Sequence, residues 1–290
     1  MAKTPFKKTG FYYRSGMRNA LSWESELTKW IRRRYPKTII LPPNVVPKSR
    51  KEAPDILFVL GGDGTILEAA QKFLRWNPLI MGFNLGHVGF LASVRDPKRF
   101  MAAIAKVFSK NYRVLQRMMI RGALFRSGKK IFSQDALNEI TVQNLSGLVD
   151  VTLFIDGHPV QKIHGSGVLI STATGSTAYN LSAHGPVIMP DIKCFIITEL
   201  FDHNIPTPSL VIKRNRTITI KIGDFRKRDQ FLIKKTGEPA DAVLFVGTWE
   251  IIALKKGDTI RIEKSNRLVR FIELEKNYFF KSLQEKFSFR

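Results

Sequence analysis

Cysteine is almost absent: a single residue, Cys194, stands in 290. A lone thiol excludes an internal disulfide framework and suits a reducing compartment, so a cytoplasmic chain is expected. Cys194 itself lies in the apolar run Cys194-Phe195-Ile196-Ile197 and reads as packing. Long apolar runs are missing as well. None reaches the roughly 18 residues of a membrane helix, and Met1-Ala2-Lys3-Thr4-Pro5 lacks an apolar signal region, so no membrane partner is expected. There is no internal repeat and no low-complexity segment. Acidic residues are scarce: 24 Asp+Glu face 47 Lys+Arg, a formal net charge of +23. That field attracts polyanions in general. The basic residues are scattered, with no aromatic-interleaved RNA-binding signature, so nucleic acid is not read as the partner.

What is present is enough apolar material, 44% of the chain, for two domains with real cores. The most informative stretch is Leu60-Gly61-Gly62-Asp63-Gly64-Thr65. The apolar run Ile56-Leu57-Phe58-Val59-Leu60 enters it as a buried strand, and Ile66-Leu67-Glu68-Ala69-Ala70 leaves it as a helix. In an open α/β sheet, ligands bind outside the carboxyl end of such a strand. The glycines let a phosphate approach backbone N–H groups at the positive end of a helix. A carboxylate there, Asp63, would hold a metal or take a proton from a hydroxyl that attacks a phosphoryl group. The alternative for this stretch alone is a tight turn with Asp63 as helix cap.

Around that loop the chain alternates. Phe11-Tyr12-Tyr13 reads as a strand, Ser22-Trp23-Glu24-Ser25-Glu26 as a helix start running to about Arg34, and Thr38-Ile39-Ile40-Leu41 as a strand. The helix after the loop runs to about Arg75, Leu79-Ile80-Met81-Gly82-Phe83 is a further strand, and Asp96-Pro97 opens a helix to about Ser109. Such alternation implies a parallel sheet with right-handed crossovers. From Arg113 to Phe154, and again from Ser209 to Leu274, short alternating strands follow one another, as in Thr217-Ile218-Thr219-Ile220-Lys221-Ile222. A helix-poor second domain, a β-sandwich, is the reading. The division expected is residues 1–99 and 100–267, with a tail, 268–290, whose Tyr278, Phe279, Phe280, Leu283 and Phe287 dock on the first domain.

Four further stretches are too specific for ordinary loops: Asn84-Leu85-Gly86-His87-Val88-Gly89-Phe90-Leu91, the pair Asn138-Glu139, the segment Gly165-Ser166-Gly167 to Thr172 running into Ala173-Thr174-Gly175-Ser176-Thr177-Ala178-Tyr179-Asn180-Leu181-Ser182, and Ala183-His184-Gly185-Pro186. Glycine and small hydroxyl residues before a helix start make an anion nest. In order and spacing, across roughly residues 10 to 275, the loop at 61–65, the loop at 84–91, the Asn138-Glu139 pair and Thr174-Gly175-Ser176-Thr177-Ala178-Tyr179-Asn180-Leu181-Ser182 resemble the NAD kinase family. The resemblance implies transfer of a phosphoryl group from ATP or polyphosphate, with Mg2+ or another divalent cation, to the 2′-hydroxyl of NAD's adenosine ribose, giving NADP. It implies a Rossmann-like α/β domain plus a mainly β domain, and a homodimer or homotetramer. By position, Asp63 matches the catalytic base and Gly64 lies beside the nucleotide. Asn138 and Glu139 match residues that hold NAD, and Thr174, Thr177, Ala178, Tyr179, Asn180, Leu181 and Ser182 match the segment that lines the dinucleotide, with Tyr179 able to stack a base.

The chain departs from the family in places. Ser166 stands where a substrate-binding aspartate is usual, His164 where a basic residue is common, and Ala173 where a proline is. Asp202-His203-Asn204-Ile205 and Gly247-Thr248-Trp249 replace two further family segments. His164 and Ser166 remain candidate contacts to the nucleotide. Two rival functions stand beside this one: a diacylglycerol or sphingoid lipid kinase sharing Gly-Gly-Asp-Gly, and a non-catalytic dinucleotide- or polyanion-binding protein. The loop at 84–91 and Thr-Gly-Ser-Thr-Ala-Tyr argue against the first, and intact Asp63, Asn138 and Glu139 against the second.

Overall fold

The computed structural model describes residues 5–86, 89–203, 207–226, 228, 231–233, 236–247 and 250–287. His87, Val88, Asn204, Ile205, Thr248 and Trp249 lie outside the described residues. In chain order come β1 (Lys8–Tyr12), α1 (Arg18–Arg34), β2 (Ile39–Ile40), β3 (Ile56–Leu60), α2 (Asp63–Lys72), β4 (Leu79–Phe83) and α3 (Phe100–Phe108). The strands β5 (Arg113–Arg126), β6 (Lys129–Ala136), β7 (Glu139–Asn144), β8 (Val149–Ile155) and β9 (His158–Thr172) follow, then α4 (Tyr179–Ser182). Last come β10 (Cys194–Asp202), β11 (Leu210–Lys213), β12 (Ile218–Phe225), β13 (Ala242–Val246), β14 (Glu250–Ala253), β15 (Thr259–Glu273) and α5 (Tyr278–Phe287). They form two units, Met1–Arg117 with Leu268–Arg290, and Met118–Arg267.

In the first unit β1 pairs in parallel with β2 and β3, β3 with β4, and β4 with the end of β15 at Arg270 and Phe271. β3 is buried along its whole length, which explains why it reads as a continuous apolar run and not as an alternating one. One face carries Phe11, Phe58 and Phe83 against Leu27 and Ile31 of α1 and Phe100, Ile104 and Val107 of α3. Each such side chain withdrawn from water contributes roughly 1.5–3 kcal/mol. Tyr12 points the other way, its ring 6.0 Å from Phe73 just beyond α2.

Two boundaries differ from the sequence reading. Helix α1 begins at Arg18 and has no side-chain cap, so Ser22 is interior; buried Ala20 extends the Leu27–Ile31 stripe two turns earlier. The division of the units falls after Arg117 and not at 99, because Phe100, Ile104, Val107 and Phe108 fill the first unit's core. Asp96 does open the third helical segment, accepting a hydrogen bond from the Lys98 amide, through a 3-10 turn at Pro97–Arg99.

The second unit is antiparallel. Along one edge β9 pairs first with β8 and then with β7, while β10 runs along its other edge with β11 outside it. The order continues through β13 and β14 on one side and β12 and β15 on the other. Every second residue points inward: Ile140, Val142, Val151, Leu153, Ile218, Ile220, Ile260 and Ile262 share one core, joined by Ile120 and Leu124 of the β5–β6 hairpin.

Candidate active site

In the first unit the site is built from two glycine loops that follow the adjacent strands β3 and β4. Gly62 caps α2, and nothing lies within 4 Å of where its Cβ would stand, which leaves space beside the backbone. Asp63 opens the helix but does not cap it, since no side-chain cap bond forms there. Its donors come from the other loop instead: Phe90 N–H gives 2.7 Å to Oδ2, and Leu91 N–H gives 3.1 Å to Oδ1. A Cβ on Gly89 would stand 2.2 Å from Asp63 Oδ1, so the carboxylate lies on bare backbone. Asn84 shapes this second loop by accepting the Gly86 amide at 3.1 Å. The turn-and-cap alternative for Asp63 is therefore replaced by a carboxylate clamped between two loops and only partly buried.

Sequence reasoning missed the cations nearby. Arg14 lies beside Gly64, its guanidinium 3.2 Å from where a Cβ would stand. Arg14 bonds Glu68 at 3.1 Å, and Lys72 bonds both Glu68 and the Tyr12 hydroxyl at 2.8 Å. Burial pushes the Glu68 carboxyl up, but hydrogen bonds from Lys72, Tyr12 and Arg14 bring it below its ordinary value. Only their convergence on Glu68 in space could have marked these cations among so many.

In the second unit the start of β7 and the end of β9 are tied together. The Thr172 amide donates to Asn138 O at 2.8 Å, and Thr172 Oγ1 to Leu137 O at 2.6 Å. Asn138 Oδ1 and Glu139 Oε2 are buried with no hydrogen-bond partner among the described residues. Burial pushes the Glu139 carboxyl up to about 7. An unsatisfied buried acceptor costs about 1–3 kcal/mol. Two side by side can accept from hydroxyl or amino donors of a bound molecule.

The segment after β9 packs on this pair, since a Cβ on Gly175 would meet Asn138 O at 2.6 Å. Thr174 is buried, Thr177, Ala178 and Leu181 are partly covered, and Tyr179 and Ser182 are exposed. The anion nest expected here is not displayed. Ser176 Oγ turns back to Ala173 O at 2.7 Å, and Thr177 Oγ1 to Thr174 O at 3.4 Å. Asn180 also departs from its expected role: it is wholly buried, donating to Pro186 O at 3.0 Å and accepting from Thr198 at 2.8 Å. Its amide holds the following turn.

Ser166 and His164 sit elsewhere on β9, roughly 20 Å and 26 Å from Thr172 at strand spacing. His164 Nδ1 lies 2.5 Å from Asp150 Oδ1, and its amide donates to Asp202 at 3.1 Å. The Ser166 hydroxyl has no hydrogen-bond partner among the described residues. Among the described residues no cluster of three or more His, Cys, Asp or Glu is placed to hold a metal ion.

The family described as ATP-NAD kinase N-terminal domain matches residues 11–112, and that described as ATP-NAD kinase C-terminal domain matches residues 137–274. The NAD kinase of Lachnoclostridium phytofermentans is 36% identical over 233 residues, 79% of this chain and 78% of that protein. The crystal structure of yeast NADH kinase complexed with NADH superposes with a TM-score of 0.84 at 21% identity, covering 99% of this chain and 89% of that one. An NAD kinase from Archaeoglobus fulgidus in complex with ATP gives 0.75 at 24%, covering 98% and 99%. These two likenesses establish the fold.

Proposed function

This chain belongs to the NAD kinase family and is a kinase that phosphorylates NAD; on that premise we propose that Asp63 is the general base of the reaction. The observation that carries this reading is the Asp63 carboxylate, fixed by the Phe90 and Leu91 amides at the first turn of α2. Each carboxylate oxygen has two lone-pair sites and accepts one amide, so a second site on each is available to a hydroxyl. In the step proposed, the ribose 2′-oxygen bonds to the terminal phosphorus of the donor, the bond from that phosphorus to the leaving oxygen breaks, and the hydroxyl proton passes to Asp63. ADP leaves when ATP, the donor in the family's description, is used.

Asn138 and Glu139 take donor groups of NAD in this reading, supported by their unpaired buried acceptors. Thr174, Thr177, Ala178, Tyr179, Leu181 and Ser182 line the dinucleotide, and His164 and Ser166 contact it. A divalent cation enters with the phosphates of the donor, as part of that substrate. A homodimer or homotetramer in the cytoplasm completes the proposal. None of the helices among the described residues is long and apolar enough to cross a membrane.

The test is NADP formation from NAD with ATP and Mg2+, compared between wild type and Asp63→Asn. Turnover is expected to fall about 10²–10⁴-fold, with NAD still bound in calorimetry. Near-wild-type turnover would make Asp63 structural.

A further inference from the structure

The C-terminal helix α5 lies beyond the residues that match the family, 137–274. It nevertheless reaches the loop that holds Asp63. Arg95 is the link. Its side chain is only 18% exposed and is gripped from several sides by α5: Nε bonds the Tyr278 hydroxyl at 3.2 Å, Nη2 donates to Ser282, and Nη1 pairs with Glu285. The guanidinium also stacks over the Tyr278 ring at 4.5 Å. On its other side Nη2 donates to the Gly89 carbonyl at 3.4 Å.

That carbonyl and the Phe90 N–H are two ends of one planar peptide unit. Holding the oxygen end therefore aims the N–H end, which donates to Asp63 Oδ2 at 2.7 Å. A hydrogen bond accepted at the carbonyl also polarises the unit and strengthens its N–H as a donor. The Phe279 ring adds a contact to the same loop, 5.8 Å from Phe90. The Tyr278 hydroxyl is pushed up by burial and drawn down by Arg95, and the Asp63 charge pushes it up further, so phenol and carboxylate share one field.

We propose that Arg95 is a positioning residue for Asp63, linking α5 to the Gly89–Phe90 peptide and so fixing the carboxylate toward its substrate. The inference rests on Asp63 being the base. Four forms are compared in the full chain: Arg95→Ala, Arg95→Lys, Tyr278→Phe, and Lys281→Ala as a control on the exposed side of α5. The readouts are kcat, KM for ATP, the NAD dissociation constant, and amide hydrogen exchange of the peptide spanning 89–91.

For Arg95→Ala the expected result is a fall in kcat of about tenfold or more, roughly the worth of a charge-assisted hydrogen bond. Exchange at 90 and 91 should quicken, with the NAD dissociation constant within about twofold. Arg95→Lys should recover part of kcat, and Lys281→Ala should match wild type. Unchanged exchange, or faster exchange with unchanged kcat, overturns the proposal. So does a joint loss of kcat, NAD affinity and melting temperature, which marks α5 as a packing element alone. If Arg95→Ala does not fold, Arg95→Lys and Tyr278→Phe are judged by the same readouts. Full turnover in Asp63→Asn would remove the base reading instead, while the exchange data would still decide whether Arg95 holds the loop.

Discussion

Burial alone lifts the Glu139 carboxyl to about 7, so this residue changes charge near neutrality. In the unfolded chain the same group titrates near its ordinary value, about 4.3. Between those two values the folded state keeps a proton that the unfolded state has lost, so stability falls as pH rises across that window and is level above it. The ceiling on this loss is about 4 kcal/mol. Urea denaturation between pH 5 and pH 8 should show the decline in wild type and a flatter profile in Glu139→Gln; parallel profiles would place the titration elsewhere. If NAD donates to Glu139 as proposed, it supplies the opposite linkage. Donors to Oε2 favour the carboxylate, so NAD affinity should tighten as pH rises toward about 7, with proton release on binding, and Glu139→Gln should abolish that dependence in calorimetry. Nothing in the residue string separates Glu139 from other glutamates except its place after Asn138 in a family motif. Asn138 and Asn180 show the same limit: both sit in such motifs, yet one leaves an acceptor unpaired and the other is committed to Pro186 and Thr198.

At the scale of elements, β9 is the strand on which the second unit depends, because it borders β7, β8 and β10 at once. Gly167 sits where β9 passes from β8 to β7, at φ +149°, and a Cβ there would stand 1.9 Å from Val142 O. Gly167→Ala should therefore part the β7–β9 ladder and cost more than about 3 kcal/mol, among the large values reserved for broken backbone contacts. Gly157→Ala is the control. It has φ +85° with nothing within 4 Å of a Cβ, so only left-handed strain of about 1–2 kcal/mol applies. Equal midpoints in urea for the two variants would contradict this account. The contrast also marks what could be read in advance. The entry of β3 into Gly61-Gly62-Asp63 was legible, since five consecutive apolar residues and a glycine break are local signals. The membership of α3 was not: its apolar stripe is visible, but the core it faces is set by Phe11, Phe58 and Phe83, far away in the chain. The grip of α5 on Arg95 was equally hidden, because the expected docking of tail aromatics did not single out one arginine.

At the scale of the whole molecule, the charge of +23 is the property that local structure explains least. Several acidic groups are already paired: Glu68 with Arg14 and Lys72, Asp135 with Arg121, Asp258 with Arg126, Glu275 with Lys281. The remaining positive field acts on any anion that approaches, and its effect grows with the number of charges the anion carries. MgATP carries few and polyphosphate many, so the two donors should respond differently to salt. Between Lys213 and Lys235 the chain concentrates Lys213, Arg214, Arg216, Lys221, Arg226, Lys227, Arg228, Lys234 and Lys235 against Asp224 and Asp229, of which Lys227, Asp229, Lys234 and Lys235 lie outside the described residues. Arg216 is engaged with Asp156, whereas Arg226 and Arg228 are exposed. If this segment helps to hold a polyanionic donor, the polyphosphate-supported rate should fall steeply between about 0.1 M and about 1 M salt, as the Debye length shortens from about 10 Å to about 3 Å. The ATP-supported rate should change by a few-fold over the same range. Changing Arg226, Lys227 and Arg228 together to serine should lower the first rate and its salt dependence while leaving the second near wild type. Equal effects on both donors, or no turnover with polyphosphate, would return these residues to an ordinary solvated hairpin face.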